Sequence, residues 1–409
     1  MTAANTGLGK ANRLFRKANQ LFQQQEYSEA RKVLHRLERS GFESPEMRLM
    51  LGFCERQRRR SFDALRHFEL AAKAAPSDHR PPFQIACAWD ELGDHAQAEP
   101  WYRQSLSLEP FNHRAHSNLG NALQDMGRKK EAVESYQRAL ELSPSLPLTC
   151  YNLATALFDY DDPGPAVEAL EKALTLDPDL VRVHFHLGTL YWLQGENLRA
   201  EKCMEKVRAA GLDHLISSLD YVKANATPET RLFGDAFDVF RYALDQAPDG
   251  GVVAEFGVSF GNSIRFIASL TDRRVYGFDS FEGLPEAWAK EPKGMYTTRG
   301  KVPEAPGNVE FRVGWFKDTL PSFAKQLAEP LVFANVDCDL YSSTREVLET
   351  LGHLFPAGAV ICFDEYLGHE TWQQDEYRAF QEFVARTGRS YRYLGFSFMS
   401  KQAVMMLDN

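Results

Sequence analysis

The chain has 409 residues, 44% apolar and 25% charged, with 27 Gly and 20 Pro. Those proportions suit soluble globular domains and exclude a mainly disordered or collagen-like chain; the length suggests two or three domains, each able to bury a core. A formal charge of −9, from 47 Lys+Arg against 56 Asp+Glu, argues against a nucleic-acid partner.

The charge is uneven: residues 1–60 hold 13 basic against 6 acidic side chains. The run Arg56, Arg58, Arg59, Arg60 reads either as a solvated helix end or as a contact for an acidic partner. Cys54, Cys87, Cys150, Cys203, Cys338 and Cys362 are scattered without a CxxC pair, so neither a zinc site nor a disulfide framework is expected. The opening MTAANTGLGKANRLFRKANQ lacks the apolar segment of a secretory signal. No stretch reaches the ~18 apolar residues of a membrane-spanning helix, so the expected setting is a reducing cytoplasm, with no membrane partner.

An internal period dominates the first half. Ala30, Ala64, Ala98, Ala132, Ala166 and Ala200 each follow the last by 34 residues. Four positions later stand the bulky Leu34, Phe68, Tyr102, Tyr136, Leu170 and Met204; twelve positions before stand the small Ala18, Gly52, Ala86, Gly120, Ala154 and Gly188. Pro76, Pro110, Pro144 and Pro178 close four of the units. Small residues let two antiparallel helices approach, large ones fill the space between them, and proline ends the second helix. The pattern predicts six helix pairs over 11–214. It resembles the tetratricopeptide repeat, best in HRAHSNLGNALQDMGRKKEAVESYQRALELSPSL at 113–146. Such an α-solenoid offers a concave surface to a protein or peptide partner; a plain spacer or dimerisation arm is the other reading.

Within that surface the strings NLGNAL and NLATAL place Asn118, Asn121 and Asn152 near the ends of first helices. They resemble the repeats of O-linked N-acetylglucosamine transferase, whose asparagine ladder holds peptide backbone. A carboxamide both donates and accepts, which suits an extended main chain. The ladder is incomplete here, because the equivalent positions are Gln84 and His186. Phe83, Tyr151, Phe185 and Trp192 lie nearby, either to clamp a ligand or to pack between helices.

Residues 215–250 read as a helical linker and entry helix ending in Pro-Asp-Gly-Gly at 248–251. From there to 409, short apolar runs alternate with helical ones: 252–256, 275–278, 309–313, 331–336 and 359–363. That alternation predicts a parallel sheet covered on both faces. The last two runs, 391–396 and 403–409, are too close for a crossover helix and predict an antiparallel hairpin at the sheet edge. The whole resembles a Rossmann-like class I methyltransferase.

The first strand runs into EFGVSFGNSIRF, where Glu255, Gly257, Ser259 and Gly261 open a helix whose free amides suit an anion. A dinucleotide fingerprint would need GxGxxG, which this loop lacks. Asp279, followed by Ser280, ends the next strand, where a carboxylate accepts both ribose hydroxyls of a nucleoside cofactor or simply caps the turn.

Four strings then occur in order at strand ends: FDSFEGLPE, VGWFKDTLP, NVDCDLYSST and FDEY. Together they resemble the macrocin O-methyltransferase family, which methylates sugar hydroxyls with S-adenosylmethionine. The resemblance implies a divalent metal on Asp337, Asp364 and Glu365, with Asp339 as the base. Oxygen-only ligands suit Mg²⁺, but the family carries aspartate where Glu365 stands. Asp337 and Asp339 are expected to point the same way from a strand end, with Ser343 and Glu346 capping the following helix. The polar stretch 286–308 is either a lid over the acceptor or a surface loop. Two functions remain open: an O-methyltransferase whose repeats recruit a sugar, glycan or other hydroxyl acceptor or its protein carrier, and a repeat scaffold with an inactive methyltransferase-like domain.

Overall fold

The computed structural model describes residues 2–409. They form two compact units, one running through Asp125 together with Glu141–Ser143, the other comprising Met126–Leu140 and Pro144–Asn409.

The first unit holds α1 (Thr2–Gln23), α2 (Tyr27–Arg39), α3 (Pro45–Arg56), α4 (Ser61–Ala74), α5 (Arg80–Leu92), α6 (His95–Leu108) and α7 (His113–Gln124). Side-chain caps start several of them: Ser44 accepts from the amide of Met47, Asp94 from Gln97 and Asn112 from Ala115. The 34-residue pattern translates directly into packing. Ala30, Ala64 and Ala98 are fully buried, as are Leu34, Phe68 and Tyr102. A Cβ on Gly52 would lie 2.4 Å from the Phe68 ring, so the small residue is what admits the large one sixteen positions on.

The second unit holds α8 (Lys129–Leu142) up to Leu140, then α9 (Pro147–Leu157), α10 (Gly164–Leu176), α11 (Val181–Leu193) and α12 (Asn197–Ala209). Another helix, α13 (Asp213–Asn225), follows. The stretch expected to be helical throughout is interrupted after Asn225. Pro228 lies in the break, and β1 (Arg231–Leu232) then joins the sheet before α14 (Ala236–Gln246) begins. Asp235 caps α14 by accepting from the amides of Phe237 and Asp238.

The remaining strands fall where the apolar runs predict them: β2 (Val252–Phe256), β3 (Val275–Asp279), β4 (Val309–Val313), β5 (Leu331–Val336), β6 (Val360–Phe363), β7 (Tyr391–Phe396) and β8 (Ala403–Leu407). Their order is β1-β7-β8-β6-β5-β2-β3-β4. β8 is antiparallel to both β6 and β7, and the other pairs are parallel. The predicted hairpin is therefore present, but it is not the edge: β1 pairs outside β7.

Helices α14 and α15 (Asn262–Ser269) cover one face of the sheet. On the other lie α16 (Phe316–Gln326), α17 (Tyr341–Leu351) and α18 (Glu376–Thr387). That second core continues without a break into α9–α13, so the last repeats share their interior with the sheet. Hydrogen bonds lock the junction. Ser218 accepts from the amide of Gly368 at 2.9 Å, Ser217 from the Trp372 indole at 3.2 Å, and the hydroxyls of Tyr221 and Tyr393 lie 2.6 Å apart.

This packing predicts that Gly188→Leu destabilises the protein. A Cβ there would meet the Met204 methyl at 2.7 Å and the Cys203 Cβ at 2.8 Å. Overpacking of this kind costs about 1–3 kcal/mol, read as a lowered urea midpoint; an unchanged midpoint would contradict the close helix approach.

Candidate functional site

The carboxyl ends of β2 and β3 hold the expected cofactor residues together. Gly257 has φ +93°, and a Cβ on it would fall 1.7 Å from the carbonyl oxygen of Asp337. Only glycine lets the β2 loop pass so close to the end of β5. Ser259 and Gly261 are also left-handed, at φ 48° and 77°. Asp279 fastens this coil: its Oδ2 accepts from the amides of Val258 (2.8 Å) and Ser259 (2.7 Å), and its Oδ1 from Phe281 (2.6 Å). The side chain read as a ribose acceptor thus also caps its turn. Ser280 accepts from the amide of Glu282 at 3.1 Å. Glu255 is fully buried, accepts from Asn335 Nδ2 at 2.8 Å, and is pushed by burial up to about 8. This cradle, with α15 opening behind it, fits an adenosyl amino acid.

The carboxylates gather at the ends of β5 and β6. β5 stops at Val336, so strand alternation does not aim Asp337 and Asp339 as expected. Instead a tight turn, with Asp339 at φ 59°, carries both toward the same cluster. Neither makes a side-chain hydrogen bond to another described residue. The capping box at Ser343 is absent as well: α17 starts at Tyr341, its N-cap is Leu340, and Ser343 is buried inside the first turn. Burial, then repulsion from Asp364, Asp339 and Glu255, holds Asp337 well above the usual carboxylate range. Burial and the neighbouring Glu365 and Asp364 push Asp339 up to about 8. Asp364 rises to about 7 for the same kind of reason.

Three partners of this edge escape the sequence motifs. Because β6 and β8 pair antiparallel with Phe363 opposite Ala403, the register carried one step further sets Asp364 opposite Gln402, and two steps sets Glu365 opposite Lys401. Gln402 Nε2 donates to Asp364 Oδ1 at 2.7 Å, and Lys401 Nζ reaches both Glu365 oxygens at 2.7 and 3.0 Å. Glu376, fully buried at the start of α18, accepts from the amide of Glu365 at 2.9 Å. The β7–β8 loop that delivers Lys401 and Gln402 rests on the repeats: Phe398 meets Phe185 of α11 edge-on at 5.3 Å.

Against this geometry the expected metal trio does not fit. Glu365 is committed to an ammonium and Asp364 shares its carboxylate with Gln402. Among the described residues, no group of three or more His, Cys, Asp or Glu side chains is disposed to hold a metal ion.

The stretch 286–308 carries no helix or regular strand, and it is tied down on two sides. Ser342 donates to Glu286 at 2.6 Å, Lys290 pairs with Glu370 at 3.3 Å, and Trp288 meets His369 edge-on. Burial and then Asp339 push the Tyr296 hydroxyl up to about 12. The asparagines are divided. Asn118 and Asn121 sit on α7 in the first unit, where Asn118 donates to Cys87 Sγ at 3.5 Å; Asn152 sits on α9 in the second. His186 is buried and stacked on Tyr151, and Gln84 accepts from Arg56, so both are used internally. Arg56 pairs with Glu91 and Arg58 with Glu55, which makes part of the basic run a set of local ion pairs.

Residues 247–387 match the macrocin-O-methyltransferase (TylF) family model. Tetratricopeptide-repeat models match 15–79, 83–112, 113–146 and 165–195. Among curated proteins, 8-demethyl-8-(2,3-dimethoxy-alpha-L-rhamnosyl)-tetracenomycin-C 4'-O-methyltransferase of Streptomyces olivaceus is 31% identical over 157 residues, 32% of this chain and 59% of that protein. Demethyldecarbamoylnovobiocin O-methyltransferase of Streptomyces niveus is 32% identical over 131 residues, 27% of this chain and 49% of that protein. The chain thus spans about half the length of these curated relatives. The solved calicheamicin methyltransferase CalS11 is 22% identical, with a TM-score of 0.34 over 42% of this chain and 76% of its own. Tetratricopeptide repeats and a TylF-type methyltransferase domain are therefore joined in one polypeptide.

The raised carboxyls make a signed prediction about pH. Glu255, Asp339 and Asp364 titrate in the native state at about 8, 8 and 7, against roughly 4 in an unfolded chain. The native state therefore holds more protons at neutral pH, and the stability they contribute is complete below pH ~4 and lost as pH rises through about 7–8. The thermal midpoint of the ligand-free protein should fall between pH 6 and 9, and fall less in Glu255→Gln. A midpoint that rises over that range would contradict the cluster.

Proposed function

We propose that the chain is an S-adenosylmethionine-dependent O-methyltransferase that acts, in the cytoplasm, on a hydroxyl of a sugar or glycan-bearing acceptor, its repeats recruiting a protein or peptide partner. The observation that carries this reading is the juxtaposition of two features at one sheet edge: the glycine loop fastened by Asp279 and the elevated carboxyl of Asp339. The rhamnosyl group in the name of the Streptomyces olivaceus relative supports the sugar acceptor.

Bound S-adenosylmethionine would supply a methyl group already activated by its positive sulfonium. The chain's own task is then to orient an oxygen behind that methyl and remove its proton. Gly257, Ser259 and Gly261 would cradle the cofactor with their backbone, beside the buried Glu255, and Asp279 and Ser280 would hold its ribose. Asp339 would accept the proton of the acceptor hydroxyl as that oxygen takes the methyl group. A carboxyl near 8 exchanges protons readily at neutral pH, the condition that suits a general base. No step is routed through a divalent cation, because Glu365 is occupied by Lys401. Residues 286–308, pinned at Glu286 and Lys290, serve as the lid that shields the acceptor from water. On the repeats, Asn118, Asn121 and Asn152 are the groups we assign to a partner's peptide backbone, through their paired donor and acceptor atoms.

Incubating cell extract with the protein and deuterium-labelled methyl donor should transfer label to a hydroxyl-bearing molecule detected by mass spectrometry. Asp339→Asn should slow that transfer by the ~10²–10⁴-fold typical of a lost general base while leaving cofactor affinity within a few-fold. Asp279→Ala should instead weaken cofactor binding by at least about tenfold in calorimetry, since three amides lose their acceptor. Label that appears on nothing, with cofactor bound normally, would sink the activity.

A further inference from the structure

We propose that the Lys401 ammonium supplies, at Glu365, the positive charge that this sheet edge requires, so that the site works without a divalent cation. The inference rests on the methyltransferase reading above and departs from what the family resemblance implies. It stands on three geometric facts.

Lys401 reaches both oxygens of Glu365, and the pair is largely shielded, with side-chain exposures of 30% and 14%. An ammonium bound across both carboxylate oxygens takes the inward lone pairs and offsets the charge that a cation with the 2.0–2.1 Å ligand distances typical of Mg²⁺ would draw on. The contact is also built in rather than incidental. The β6–β8 register that sets Phe363 opposite Ala403 places Glu365 against Lys401, and Lys401 bonds through its own carbonyl to the amide of Leu367 at 3.2 Å. Finally, the loop holding Lys401 is braced. Ser397 and Gln402 are fully buried, the Ser397 amide donates to Gln402 at 2.9 Å, and Phe398 is seated on Phe185.

Lys401 acts on Asp339 after β5 and on Asp364 and Glu365 after β6, while Asp375 before α18 and Arg182 of α11 also bear on Glu365. Glutamate in the last acidic position is then explicable. Its extra methylene lets the carboxylate reach across to the hairpin, where an aspartate would stop short. Lys401 acts on the carboxylates and is a positioning residue.

The test uses the full chain with MgCl₂ alone as probe, followed by isothermal calorimetry and by thermal midpoint at matched ionic strength. The wild-type protein is expected to show no saturable Mg²⁺ binding at millimolar concentration. Lys401→Gln removes the ammonium and should bind Mg²⁺ at least about tenfold more tightly, since carboxylate oxygens are released. Lys401→Arg keeps the charge and should behave as wild type. Saturable Mg²⁺ binding by the wild type overturns the proposal whether or not any variant folds. So does Lys401→Gln without a gain, provided it still binds S-adenosylmethionine. Titrating S-adenosylmethionine into wild type in EDTA separates the two claims: absence of binding there with and without Mg²⁺ defeats the methyltransferase reading, whereas binding that needs Mg²⁺ defeats only this one.

Discussion

Burying several carboxylates within reach of one another is costly, because each loses hydration and each repels the next. That constraint organises the sheet half of this protein. Glu255, Asp337, Asp339, Asp364, Glu365 and Glu376 converge on the ends of β2, β5 and β6 and the start of α18. The chain meets the cost in two visible ways. Some groups keep their protons, as the elevated Glu255 and Asp339 do, and one is neutralised by Lys401. What remains is an edge that favours the arrival of positive charge, such as the sulfonium of the proposed cofactor would bring beside the glycine loop.

Holding such an edge together takes more than the sheet. The loop that brings Lys401 and Gln402 leans on α11 through Phe398, and the segment after β6 is bonded to α13 through Gly368 and Trp372. Helices α11 and α13 therefore act as structural walls of the sheet half. The matched family segment, 247–387, ends before the β7–β8 loop begins, so the residues that neutralise the edge lie outside it.

Much of this was legible in the sequence because periodicity reports packing directly. The 34-residue alternation of small and large residues foretold Gly52 against Phe68, and the apolar runs foretold every long strand. The acidic motifs likewise fall together, at the ends of β5 and β6. What stayed hidden depends on register and turns. Strand alternation could not anticipate the left-handed Asp339, and the capping box gave way to a helix that begins three residues earlier. The two-residue β1 has too few positions to show a period, so it was absorbed into a supposed helix. Lys401 carries no motif at all. Its signal lies in counting outward from a β6–β8 pairing, which requires knowing that β8 inserts between β6 and β7.

The central claim is that protonated, buried carboxyls await a cationic cofactor, and proton release on binding measures it most directly. S-adenosylmethionine can be titrated calorimetrically at pH 7 in buffers of different ionisation enthalpy, beside the uncharged product S-adenosylhomocysteine. The account predicts a net release of protons for the sulfonium and a clearly smaller one for the thioether, because positive charge lowers the affinity of Asp339 and its neighbours for protons. Equal release by both ligands, or proton uptake with the sulfonium, would contradict it.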